Sequence, residues 1–80
     1  MRTIVIASHG WVFVGDATHK DSIISLENAS VIRQWGTTKG IGQLANEGAT
    51  SNTVLDYCGL VMIPNSAVIA YMPVNPNVTL

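Results

Sequence analysis

Charged side chains are few in this 80-residue chain: 11% of residues, against about 25% in an ordinary soluble domain. Four Lys and Arg stand against five Asp and Glu, for a formal net charge of -1. That balance lacks the clustered cations that phosphate backbones require, so composition argues against a nucleic-acid-binding domain. Cysteine is nearly absent. Cys58 stands alone and cannot form the intrachain disulfide that small secreted domains use, and it is expected to be buried and inert. Long apolar runs are missing as well. Ile4 to Ala7 stops after four residues at Ser8-His9-Gly10, where a signal peptide needs about 7–15 apolar residues and a membrane helix about 20. The expected location is therefore the cytoplasm.

Catalytic patterns are missing too. There is no HExxH, CxxC or DxD spacing, and Gly36 to Gly42 does not match the phosphate-binding GxxxxGK[ST] pattern. His9 and His19 lie ten residues apart in different segments and are expected to be solvated loop residues. Nothing in the spacing pairs Cys58 with His9 for hydrolysis. The acids Asp16, Asp21, Glu27, Glu47 and Asp56 are dispersed. No enzymatic activity, metal or cofactor is expected.

What is present is strand chemistry. A hydrophobic content of 48% excludes a disordered tail, and the length allows one domain with a small core. Thr3 to Ile6, Trp11 to Val14, Ser22 to Leu26 and Ala29 to Trp35 read as strands, as do Thr53 to Leu55, Leu60 to Ile63 and Ser66 to Met72. The polar run Thr18 to Asp21 separates two of them, and Glu27-Asn28 reads as a turn. Gln43 to Glu47 offers one helical turn, which Gly48 ends. Pro73 onward is expected to be a weakly structured extension. The expected fold is all-β: a small, strongly bent barrel with one short helical turn in an insert. A chain so poor in charge is also expected to bury surface against further copies of itself.

Two stretches resemble the Sm-like (LSm) family. Gly10-Trp11-Val12-Phe13-Val14-Gly15 is similar to the two-glycine opening of the first Sm motif. Asp21 falls six residues after the second glycine, and Ile24 and Leu26 fit the apolar positions that follow. Ile63-Pro64-Asn65-Ser66-Ala67-Val68-Ile69 is similar to the second motif. The resemblance implies one Sm/SH3-like barrel over residues 1–72, with an insert at 35–59 and an extension at 73–80. It also implies rings joined through strand edges. The chain departs from the RNA-binding pattern at Ser25, where those proteins carry Asn, and at Pro64-Asn65, where they carry a basic or Arg-Gly pair.

A second resemblance spans most of the chain. Asn28 to Gly40, together with Thr53-Val54-Leu55-Asp56 and Cys58-Gly59, resembles small proteins of phages and gut metagenomes. It implies a viral setting and, by analogy, the class of small oligomeric phage proteins that sequester nucleotide immune signals in the host cytoplasm.

The candidate ligand site is Arg33, Trp35, Gly36, Thr37, Thr38, Lys39 and Gly40. In a strand Arg33 and Trp35 share a face. There an indole stacks on a base while the guanidinium grips a phosphate, with the hydroxyls and loop amides as further donors. The plainer reading has Trp35 filling a barrel end, Arg33 paired with a carboxylate and the loop as a connection. Trp11, His9 and Tyr57 are the next candidates. The expected partners are further copies of the chain and a small nucleotide-like ligand. An RNA-binding ring and a structural or protein-inhibiting phage factor are the alternatives.

Overall fold

The computed structural model describes residues 1–80. Five strands form one antiparallel sheet: β1 (Arg2–Ala7), β2 (Val12–Lys20), β3 (Ile23–Gln34), β4 (Val54–Pro64) and β5 (Val68–Pro73). Their order is β4-β3-β2-β1-β5, which leaves β4 and β5 as the two edges. Helix α1 (Ile41–Glu47) lies between β3 and β4. Short 3-10 turns at Ser8–Gly10 and Asn65–Ala67 join β1 to β2 and β4 to β5. No helix is long and apolar enough to cross a membrane.

The strands are fewer and longer than local chemistry suggests. Thr18-His19-Lys20 belongs to β2, and only Asp21 and Ser22 turn the chain into β3. Asp21 takes a left-handed φ of 56°, which a short polar side chain tolerates. Glu27-Asn28 is not a turn: β3 runs straight through it as a bulge, with Asn28 at φ 49°. Gly59, at φ 85°, likewise carries β4 through what looks like the gap between two short strands. Gly59 stands opposite Ala29, directly beside the bulge in β3. A bulge adds one residue and so moves the side-chain alternation over by one. That shift puts even-numbered Ile24 and Leu26 and odd-numbered Ala29 into the same apolar cluster.

Gly15 sits in β2 at the register shift facing this bulge. A Cβ there would lie 2.9 Å from the Cβ of Leu26 and 3.1 Å from that of Ala29. Three neighbouring strands therefore bend along one line through Gly15, Asn28 and Gly59. Arg2 fastens that line from the other side. Its guanidinium donates to the Asn28 carbonyl at 2.9 Å and to the Leu80 carbonyl at 2.9 Å, with Asp16 at 3.6 Å.

The bent sheet has a core on each face. On one, Val5, Ala7, Ile24, Leu26, Ala29 and Ile63 pack together beneath Phe13, Ala17 and Val68. On the other, Ile4, Val12, Val14 and Ile32 are covered by Leu44 and Ala45 of α1 and by Val74 of the tail. Strand β1 contributes Ile4 to one and Val5 to the other, so its apolar residues run without alternation. The tail is docked rather than loose: the Val74 amide donates to the Arg2 carbonyl and the Asn75 amide to that of Ala45, both at 2.8 Å. Within the insert at 35–59, Val54 to Gly59 belong to β4, which runs on into the second motif. Cys58 is exposed on that edge strand, its thiol turned to the Ala29 carbonyl at 3.3 Å.

Two glycines make opposite predictions. Gly15→Val is expected to destabilise the protein by about 1–3 kcal/mol, the usual range for overpacking. Gly42 lies inside α1 with open space around its Cα, so Gly42→Ala is expected to stabilise by about 0.5–1 kcal/mol. Urea unfolding midpoints of both variants against the parent check the pair.

Candidate functional site

The expected pairing of Arg33 with Trp35 does not form a single strand face. β3 ends at Gln34, after a register shift between Ile32 and Gln34. Trp35 thus lies beyond the sheet, and strand alternation no longer governs its direction. It is 42% exposed, and its carbonyl accepts from the Thr53 hydroxyl at 2.7 Å.

The loop that follows is fixed by its own hydrogen bonds. Gly36, at φ 67°, lies against Asn52 so closely that a Cβ would overlap that backbone. The Gly36 carbonyl accepts from Thr50 Oγ1 at 2.6 Å, and Thr37 Oγ1 donates to the Gly40 carbonyl at 2.6 Å. Gln43 Oε1 accepts from the Lys39 amide at 2.9 Å and from the Thr38 amide at 3.2 Å. Gln43 is the third residue of α1, the position from which a capping side chain reaches back along the chain. Two of the loop amides expected to cradle phosphate, those of Thr38 and Lys39, are therefore occupied by the Gln43 side-chain oxygen.

Arg33 is placed differently. Register aligns Phe13 with Val31, and Val31 with Asp56. Phe13, Val31, Arg33 and Asp56 consequently share one side of the sheet at its end, and Trp11, just before β2, is placed there by stacking on Phe13. Arg33 Nε donates to Asp56 Oδ2 at 2.8 Å and its NH2 to Oδ1 at 3.2 Å. This hydrogen bond first, and the Asp56 charge second, raise the guanidinium further above its ordinary value. The guanidinium carries five N–H donors in all; Asp56 engages two of them.

Arg33 and Asp56 line an open groove of about 480 Å³ with His9, Gly10, Trp11, Val12, Val31 and Ile32. Trp11 is 55% exposed and stacks parallel to Phe13, ring centroids 5.9 Å apart and planes within 5°. His9 stands at the β1–β2 turn with a left-handed φ of 63°. None of Trp35 to Gly40 lines this groove. Of the seven expected site residues, the structure brings only Arg33 to it. Trp11 and His9, the reserve candidates, lie there, whereas Tyr57 faces a separate hollow with Glu27, Asn28, Gly59 and Leu60. Asp56 could be found only from cross-strand register, because 23 residues separate it from Arg33.

No protein-family model and no curated protein sequence matches the chain.

Gln43→Ala should release the two loop amides without disturbing Leu44 in the core. Hydrogen exchange at Thr38 and Lys39 is expected to accelerate about fivefold, the equivalent of one hydrogen bond worth about 1 kcal/mol. Unchanged exchange at both would show that Gln43 does not hold the loop.

Proposed function

We propose that the chain is a non-enzymatic, self-assembling binding protein that holds a small nucleotide-derived signalling molecule without turning it over. The observation that carries this reading is the groove where Trp11 and Arg33 meet. Its volume, about 480 Å³, falls within the roughly 300–1,000 Å³ of small-molecule sites. An exposed indole offers a stacking surface for a base, worth about 1–3 kcal/mol per base. Beside it the guanidinium keeps the donors that Asp56 leaves free for a phosphate. The resemblance to phage proteins supports an anti-defence setting in the bacterial host cytoplasm.

Self-assembly through the sheet edges is part of the proposal, as is the Sm-like type of the fold. Strand order, the bend across β2 to β4 and the two unpaired edges support both. Unpaired edges invite pairing with another chain, and these edges are apolar. Tyr57, Leu60 and Met62 on β4 and Ile69 and Tyr71 on β5 are all more than half exposed. A β4 edge meeting a β5 edge is a heterologous contact, which closes into a ring when the rotation allows.

The second reading, an Sm-like ring that binds RNA, draws on the same strand order and edges. Ser25, Pro64-Asn65 and the net charge of -1 weigh against it.

Light scattering after size exclusion is expected to give several times the 8.5 kDa protomer mass. Leu60→Lys should reduce that mass. Trp11→Ala and Arg33→Ala are expected to lose at least tenfold in affinity for small nucleotides while keeping the assembly, and Trp35→Ala to lose less. A clean monomer at micromolar concentration would contradict the assembly. Release of long RNA from the purified protein would favour the second reading, and no nucleotide effect at all would leave a structural or protein-inhibiting factor.

A further inference from the structure

Trp11 belongs to two grooves, not one. The first is the polar groove with the Arg33–Asp56 pair. The second, about 290 Å³, is lined by Phe13, Val61, Met62, Ile63, Pro64 and Ala67, and shares His9 and Trp11 with the first. It contains no Lys, Arg, Asp or Glu. Its aromatic wall is the parallel, offset Trp11–Phe13 stack, in which Trp11 is the more exposed ring. An uncharged groove with a flat aromatic wall suits an uncharged planar ring. The two compartments thus call for different chemistry and meet at one indole.

The polar groove also discriminates by charge. Its single guanidinium is already shared with a carboxylate, so the groove as a whole carries little net positive charge. A terminal phosphate monoester brings about -1.5 to -2 charges at neutral pH and meets Asp56 as a like charge. A phosphodiester brings only about one, and the guanidinium N–H groups not engaged by Asp56 can serve its two free oxygens.

We infer that the ligand is bipartite: a phosphodiester-linked dinucleotide whose linking phosphate lies at Arg33 and one of whose bases extends the Trp11–Phe13 stack in the apolar groove. This rests on the binding reading above and narrows its ligand class. The second base remains in the polar groove, where the Asp56 carboxylate can accept from exocyclic amines or ribose hydroxyls.

The test uses the assembled protein and a panel of plain probes: the four nucleoside monophosphates, the corresponding dinucleotides (ApA, CpC, GpG and UpU), and adenine oligomers of four and eight residues. Binding is read by calorimetry. At least one dinucleotide should bind ten times or more tighter than its monophosphate, with no further gain in the oligomers. Ser8 lines the same apolar groove from the turn between β1 and β2, off both edge strands, so Ser8→Asp should collapse that preference while Ser8→Ala retains it. Light scattering on both variants checks that the assembly persists. Equal affinity for monophosphates and dinucleotides overturns the bipartite ligand and leaves the binding reading intact. Affinity that keeps rising with length overturns it in favour of an RNA polymer. Failure of every probe to bind overturns both.

Discussion

At Gly15 a methyl group would stand within 3 Å of the Cβ of Leu26, and the shape of the sheet depends on that missing group. β2 can lie against the bulge of β3 only because nothing projects from it there. The bulge lets β3 continue past Asn28 with its apolar side still facing inward, and Gly59 lets β4 follow the same bend. An extended flat sheet of these strands would expose one apolar face along its whole length. Bent along this line, it encloses Val5, Ile24, Leu26 and Ile63 within its own curvature.

The bend leaves a second apolar face, and the insert and tail exist in structural terms to cover it. Leu44 and Ala45 come from α1, Val74 from the tail, and all three are buried against Ile4, Val14 and Ile32. Arg2 joins the two solutions, since one guanidinium binds a bulge carbonyl on β3 and the Leu80 carbonyl. A small chain thereby builds two clusters with few charged residues. Both edge strands are left with large apolar side chains in water. That exposure is the physical support for the proposed self-association.

Much of this was legible from local chemistry. The β-branched runs located every strand, and Gly48 ended α1 where expected, its amide donating to the Leu44 carbonyl at 3.0 Å. Misread were the breaks. Glu27-Asn28 has turn composition, and only pairing with β2 and β4 decides that it continues a strand. The tail looked loose because its prolines and asparagines disfavour strands, whereas three apolar residues, Val74, Val78 and Leu80, secure it to the core. Of the groove, Arg33 was legible as a first choice, and Trp11 and His9 only as reserves. Arg33 is recognisable as a rare cation in an apolar run, but its companions come from β2 and β4, and sequence adjacency pointed to Trp35 instead. Register, which sequence alone does not display, joins Phe13 to Val31 and Val31 to Asp56.

The two tryptophans separate the two versions of the site, and each carries one indole N–H with its own NMR resonance. Trp11 lies in the groove with Arg33, whereas Trp35 lies outside it. The most direct measurement is therefore a titration of nitrogen-15-labelled protein with the tightest-binding nucleotide probe, following both indole signals. The account predicts a saturable shift at Trp11 together with Arg33 Nε, while the Trp35 indole stays within its unliganded position. A saturable shift at Trp35 with Trp11 unmoved would contradict it and return the site to the loop at residues 36–40.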